Sequence, residues 1–181
     1  MEDIDKRFSI MVNNSPKIEN LTTYVKKYLE LHPDSTISIG CDSIQRRSDI
    51  VFAVVIVLCP PFRKGSHVLY TRDFEDRKKF GKISNDQIFE RLSKEAFRSI
   101  ELYNFLNLGG IRVHSIELDY QKHENTASKP AYAAHSGWIS SLGCMVLGKD
   151  GNDILPAIRA ADQLVNNNPT RKKLKRVFDG H

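Results

Sequence analysis

The sequence has few cysteines and no apolar stretch long enough to cross a membrane. Its three cysteines, Cys41, Cys59 and Cys144, lie far apart in the 181 residues, so they form neither an even disulfide framework nor a CxxC metal motif. We expect small, buried, reduced thiols. The longest apolar run, Ile50 to Cys59, is too short for a membrane-spanning helix, and the charged N-terminal segment lacks the apolar core of a signal peptide. These absences predict a soluble, cytoplasmic protein without a membrane partner.

Internal repeats, Gly-Ser linkers and Gly-rich phosphate loops are also absent from the sequence. The length suits one domain with a single core, which we expect over residues 1–168. In the basic tail that follows, residues 169–181, a solvated end is the simpler interpretation and a nucleic-acid contact is the alternative. The chain has 27 Lys and Arg against 22 Asp and Glu, a formal charge of +5. This balance mildly favours a polyanionic partner, although many basic proteins bind no nucleic acid.

Apolar patterning predicts five strands in one mixed sheet. The segment that begins at Thr36 alternates apolar and polar residues, the run from Asp49 to Cys59 is apolar almost throughout, and residues 67–75 again resemble a strand. These three should form an antiparallel meander, with the apolar run as a central strand. A fourth strand over residues 111–121 and a fifth over 144–149 follow intervening helices, so both should lie parallel to the first. The predicted fold class is therefore α/β.

Four helices are expected around this sheet. Their predicted ranges are 16–31, 84–106, 129–143 and 152–167. Ser15 suits the N-cap of the first helix and Pro16 its first position, while Gly109-Gly110 should end the second. Asp153 is best explained as the N-cap of the last helix. Trp138, in the third helix, is expected to pack in the core rather than to stack on a nucleic-acid base.

Two aspartates occupy unusual positions at strand ends. Asp42 follows the alternating stretch TISIGC, and Asp119 closes the fourth strand. Burying a carboxylate is costly, and parallel neighbours bring their carboxyl ends together at the edge where α/β folds usually bind ligands. Two close carboxylates repel each other unless a cation lies between them. A divalent metal ion would make this arrangement favourable.

Helical spacing adds two further carboxylates. Glu95 borders the apolar stripe of the long helix that contains Ile88 and Leu92, whereas Glu90 falls on the opposite face. Glu95 therefore faces the sheet, either as part of a site or as a boundary carboxylate paired with a lysine or arginine. Asp162 follows two alanines in the last helix, which allow close packing; on its own it would be unremarkable.

Together, the four carboxylates predict an oxygen-rich site for Mg²⁺ or Mn²⁺. Hard divalent cations prefer carboxylate oxygens. A site that holds two such ions is suited to phosphodiester hydrolysis, because one ion activates a water and the other stabilises the leaving oxygen. The predicted catalytic residues and metal ligands are Asp42, Glu95, Asp119 and Asp162.

The order of elements, with an aspartate ending the first strand of a three-strand meander, resembles the ribonuclease H-like fold. The segments IGCDSIQ, ISNDQIFERLSKEAF, IELDYQ and AIRAADQLVN are similar to the bacterial YkuK family of predicted ribonuclease H-related proteins. The resemblance spans roughly residues 16–168. It implies a ribonuclease H-like five-stranded sheet and a metal-dependent nuclease that uses the same four carboxylates. Ile44 stands where the family motif has glutamine, so no role is inferred for that position.

Basic residues near these strand ends are candidates for binding phosphates. They are Arg46, Arg47, Arg77, Lys78, Lys79, Lys82 and Lys129. His114, Lys122, His123 and Glu124 could assist at Asp119, although each is more simply explained as a surface residue.

The leading hypothesis is thus a nuclease that acts on RNA, DNA or a hybrid of the two. A protein that kept the fold but only binds nucleic acid, or acts as a scaffold, is the alternative. An actin-like or sugar-kinase-like ATPase is disfavoured, because the chain is too short for the duplicated domain and has no Gly-rich phosphate loop.

Overall fold

A computed structural model describes residues 4–12, 16–61, 65–77, 85–121, 129–149 and 155–166. Its strands are β1 (Ser9–Ile10), β2 (Thr36–Gln45), β3 (Asp49–Cys59), β4 (His67–Asp76), β5 (Ser115–Gln121) and β6 (Met145–Lys149). Its helices are α1 (Leu21–Leu31), α2 (Asn85–Leu108), α3 (Lys129–Ser141) and α4 (Pro156–Asn166). A 3-10 turn spans Ile4–Lys6. The predicted basic tail, 169–181, lies outside the described residues.

The six strands form one mixed sheet in the order β1-β4-β3-β2-β5-β6. The antiparallel meander of β2, β3 and β4 is confirmed, as are the parallel pairings of β2 with β5 and of β5 with β6. The prediction of five strands is wrong, because β1 adds a sixth by pairing Ser9 with Tyr70 and Ile10 with Leu69. Two residues are too few for an alternating pattern to reveal a strand.

Helices cover both faces of the sheet. On one face, Ile37 and Ile39 of β2 pack in a large cluster with apolar side chains of α1, α2 and α3. On the other face, Val55 and Val57 of β3 pack against α4. The uniformly apolar sequence of β3 is explained by this arrangement, since its successive side chains enter two different buried layers.

Helix α1 begins at Leu21, five residues later than predicted. Its N-cap is Asn20, whose side chain accepts a hydrogen bond from the Thr23 N–H at 2.7 Å. The preceding segment is extended instead, because the Ile10 N–H donates to the Pro16 carbonyl at 3.0 Å. Ser15 lies outside the described residues. The predicted N-terminal boundary of 16 is therefore wrong.

Three other predictions can be compared with the described residues. Helix α2 ends near the predicted glycines, and Gly110 adopts a positive φ of 74°. Strand β5 begins at Ser115 rather than at residue 111. Trp138 is 40% exposed and contacts Phe97 edge-on, so its assignment to the core is wrong. The buried face of α3 follows Ala131, His135 and Ile139.

None of the helices within the described residues is long and apolar enough to span a membrane.

Candidate carboxylate site

The parallel ladder between β2 and β5 ends just before the two aspartates. Its last registered pair is Gly40 with Glu117, and Asp42 and Asp119 lie two residues further along their strands, on the same face as that pair. Strand β2 itself continues to Gln45 through its pairing with β3. The prediction that Asp42 ends its strand is therefore wrong. Asp42 lies at the point where the parallel partner strand, β5, diverges from β2.

Asp42 is a buried carboxylate under the influence of two other negative charges. Its residue is 8% exposed, and its Oδ1 accepts a hydrogen bond from the Ser43 N–H at 2.7 Å. Burial and the charge of Asp119 raise the pKa of Asp42 to about 6, with a further contribution from Asp162. Asp42, Asp119 and Asp162 thus interact electrostatically at this edge of the sheet.

Asp119 lies in an irregularity between β5 and β6. The register of these strands shifts between Leu118 and Gln121, so Asp119 falls in the stretch where the ladder is interrupted. The Lys149 ammonium forms an ion pair with Asp119 Oδ1. Lys149 was not predicted as a site residue, although its position at the end of the predicted fifth strand was a signal that could have revealed it.

Glu95 approaches the site from the opposite face of the sheet. It is 2% exposed, whereas Glu90 is exposed and pairs with Lys94 at 3.6 Å, in agreement with the helical spacing. Glu95 Oε1 accepts a hydrogen bond from the Ser43 hydroxyl at 2.5 Å. Its Oε2 is buried and has no hydrogen-bond partner among the described residues. Burial raises the pKa of Glu95 to about 8, with the negative charges of Asp42 and Asp119 acting in the same direction.

Arg91 connects Glu95 to β2 and was not identified from the sequence. Its Nη1 lies 3.4 Å from Glu95 Oε1 and donates to the Ser43 carbonyl at 2.9 Å and to the Ser43 hydroxyl at 2.8 Å. The Arg91 charge lowers the pKa of Glu95 against the larger effect of burial. The spacing of four residues on α2 was the available signal, since it puts the two side chains on adjacent turns.

Asp162 faces outward from α4. It is exposed, and its Oδ1 accepts a hydrogen bond from the Asn166 side-chain amide at 2.7 Å. Its negative charge nevertheless raises the pKa of Asp42. The structure therefore leaves Asp162 near the other carboxylates, but engaged with its own helix.

Glu117 anchors the N-terminus of α4 on the sheet. Its Oε2 accepts the N–H groups of Ala157 at 2.8 Å and Ile158 at 3.2 Å, which have no partner within the first turn of a helix. Burial raises the pKa of Glu117 to about 6, against the lowering effect of these two bonds. This role of Glu117 was not predicted from the sequence, since it depends on how α4 packs against β5.

The four carboxylates provide the type of donor atom that a hard cation prefers, but their side chains are not grouped around one point. Among the described residues, no three His, Cys, Asp or Glu side chains are grouped so as to hold a metal ion. A divalent cation would, however, reduce the repulsion between Asp42 and Asp119. It would also provide a partner for Glu95 Oε2, which has none among the described residues. The donor set therefore fits Mg²⁺ or Mn²⁺ by its chemistry.

Three of the predicted phosphate-binding residues cluster beyond the site. Arg46, Arg47 and Arg77 lie around the turn that joins β2 to β3, where Arg77 Nη1 is 3.5 Å from the Arg46 carbonyl oxygen. Arg46 also donates to the Val165 carbonyl of α4 at 3.3 Å. Lys129 is exposed at the start of α3.

Other predicted polar groups are elsewhere. Lys78, Lys79, Lys82, Lys122, His123 and Glu124 lie outside the described residues, as does the predicted cap Asp153. His114 precedes β5, and its Nδ1 accepts a hydrogen bond from the Ile37 N–H at 2.9 Å. It therefore lies at the opposite end of β5 from Asp119, so the prediction that it assists at that aspartate is wrong.

Comparison with models of known protein families gave no match, and no curated protein matches the sequence.

Proposed function

We propose that the protein is a metal-dependent nuclease with a ribonuclease H-like fold, that it belongs to the YkuK family and that it acts in the cytoplasm. Its substrate would be RNA, DNA or a hybrid. The observation that carries the proposal is the burial of Asp42 beside Asp119, with a pKa raised to about 6 by desolvation and by neighbouring carboxylates. A buried carboxylate with a raised pKa at the point where parallel strands diverge is typical of a functional site.

Asp42 and Asp119 would hold the first divalent ion. Glu95 offers its unpartnered Oε2 from the other face, and Asp162 would contribute from α4 after releasing Asn166. Bound Mg²⁺ or Mn²⁺, as two ions, would supply Lewis-acid activation for phosphodiester hydrolysis.

The chain's own residues would orient this site and bind the substrate backbone. Ser43 and Arg91 hold the Glu95 carboxylate through Oε1, so that Oε2 remains available. Arg47 is exposed, and with Arg46 and Arg77 it forms a basic group around the β2–β3 turn. Such groups attract phosphates without regard to base sequence.

The alternative, a protein that binds nucleic acid or acts as a scaffold without catalysis, is favoured by one specific observation. Two of the four carboxylates already have cationic partners, Arg91 with Glu95 and Lys149 with Asp119. A set of carboxylates compensated in this way does not require a metal ion. The two functions differ in Mn²⁺ binding, which a nuclease of this type must have and a scaffold need not.

Cleavage of labelled RNA, DNA and hybrid duplexes in the presence of Mn²⁺ tests the proposal. We expect the wild type to cleave at least one substrate and Asp42→Asn to lose that cleavage. Asp34→Asn, in an exposed turn, is the matched control and should cleave like the wild type. Equal cleavage by the wild type and Asp42→Asn would refute the site. If the protein binds nucleic acid but neither cleaves it nor binds Mn²⁺, the alternative is favoured.

A further inference from the structure

We propose that Lys149 is an internal counter-ion of the carboxylate site: it neutralises Asp119 in the metal-free protein and leaves that aspartate when a divalent cation binds. This inference rests on the proposed function, because it assumes that Asp119 is a metal ligand. It adds a residue that lies outside the predicted set of four carboxylates and gives it a definite role.

The position of Lys149 fits such a role. It is the last residue of β6, the strand beside β5, and its backbone is in register with Gln121, just past the irregularity that contains Asp119. The Lys149 side chain is 50% exposed and that of Asp119 is 24% exposed. A lysine side chain on a flexible four-carbon stem that is half in solvent can exchange an ion pair for water without disturbing a packed layer.

The negative charges near Asp119 make a positive charge beside it favourable. Asp42 is coupled to both Asp119 and Asp162, so a metal-free site concentrates negative charge. Arg91 is held by Ser43 and Glu95 on the other face of the sheet. Lys149 is the basic side chain that contacts Asp119 directly among the ion pairs of the described residues.

Competition between Lys149 and a metal follows from these positions. A divalent ion bound at Asp119 would supply more positive charge than one ammonium group and would repel an ammonium that stayed in contact. Removing the Lys149 charge should therefore strengthen metal binding, although it removes an ion pair from the metal-free protein. If Lys149 merely supported the fold, its removal would destabilise the protein equally with and without the metal.

Calorimetric titration of the full chain with Mn²⁺ measures this competition. We expect Lys149→Met to lower the Kd for Mn²⁺ by about two- to tenfold, the range for losing a partly exposed ion pair and its repulsion of a nearby ion. Lys149→Arg keeps the charge and should bind like the wild type. Lys26→Met removes a charge from the exposed face of α1 and should also leave the Kd unchanged. Lys149→Gln provides a second neutral variant if the methionine variant does not fold.

Thermal unfolding supplies an independent readout. Lys149→Met should have a lower Tm than the wild type in chelator, and this difference should disappear in saturating Mn²⁺. An unchanged or weaker Mn²⁺ affinity in the neutral variants, or an equal loss of Tm in both conditions, would overturn the role of Lys149 and leave the proposed nuclease standing. If the wild type binds no Mn²⁺ at all, both proposals are wrong.

Discussion

The Ser43 hydroxyl donates a hydrogen bond to Oε1 of Glu95 at 2.5 Å, which joins β2 to α2 one residue after Asp42. Asp42 and Ser43 are neighbours in the chain but point to opposite faces of the sheet. One residue therefore presents a carboxylate on the α4 side while the next fixes a second carboxylate on the α2 side. Side chains from both layers therefore approach β2 at adjacent residues.

Ser43→Ala should destabilise the protein by about 1–3 kcal/mol, because it leaves a buried carboxyl oxygen with one fewer donor. Since the Ser43 hydroxyl lowers the pKa of Glu95, the variant should also raise that pKa further. Urea unfolding measures the loss of stability. Ser93→Ala removes a hydroxyl that, within the described residues, donates to the Phe89 carbonyl at a solvent-accessible position on the same helix, and should change stability by less than about 0.5 kcal/mol. Equal effects of the two substitutions would contradict the role of Ser43.

Glu95 should make the metal-free protein less stable as the pH rises toward 8. Its pKa in the folded protein is raised from 4.5 to about 8, so the folded state keeps a proton that the unfolded chain releases above pH 4.5. Stability due to this group is greatest below that pH, falls through the interval and is fully lost above the folded pKa. The slope contributed by one proton is at most about 1.4 kcal/mol per pH unit.

Glu95→Gln should remove this pH dependence. Urea unfolding in chelator between pH 6.5 and pH 8 isolates the effect, since the pKa values of Asp42 and Glu117 lie near 6. Over that interval the wild type should lose stability relative to Glu95→Gln. Glu90→Gln, on the exposed face of the same helix, should follow the wild-type curve. Parallel curves for the wild type and Glu95→Gln would show that Glu95 is already ionised at pH 6.5.

Glu117→Ala should loosen helix α4. The substitution leaves the buried N–H groups of Ala157 and Ile158 without their acceptor, which costs about 1–3 kcal/mol. Hydrogen exchange at these two amides should increase, because the bonds that protect them are gone. Glu30→Ala, at an exposed position of α1, is the control and should leave α4 exchange unchanged. Unaltered exchange in Glu117→Ala would mean that this contact does not hold α4 in place.

Gly40→Ala should also act on α4, by steric contact. A Cβ at Gly40 would lie 3.0 Å from the Ala157 Cβ and 3.1 Å from backbone atoms of Ala157 and Ile158. Overpacking of this kind costs about 1–3 kcal/mol. Gly137→Ala is the opposite case, since a Cβ there meets nothing within 4 Å and alanine favours an exposed helical position by about 0.5–1 kcal/mol. Thermal unfolding should move in opposite directions for the two variants.

The main secondary structure could be predicted because its patterns are long. Strand β3 and helix α2 extend over enough residues for apolar runs and helical spacing to be distinctive. The start of α1 could not be predicted, because Ser15-Pro16 and Asn20 both suit a helix start. Backbone pairing of residues 16–18 with the β1 segment decided between them. Strand β1 was missed for a similar reason, since two residues contain no period.

The candidate site was only partly accessible from the sequence. Asp42 and Glu95 stand out because a carboxylate in an apolar pattern is unusual whatever surrounds it. Arg91, Lys149 and Glu117 do not stand out, because charged residues at the border of a helix or the end of a strand are ordinary. Their roles depend on which partner they meet across the sheet.

The sequence by itself determined the α/β class, the meander followed by parallel strands and the inward direction of Glu95, since all of these follow from local periodicity and from the chirality of crossovers. Only the tertiary structure decided which charges meet. The divergence of β2 from β5 after Gly40, the pairing of Lys149 with Asp119 and the anchoring of α4 by Glu117 join residues that are distant in the chain. Their energies depend on distance and burial, which no local pattern encodes.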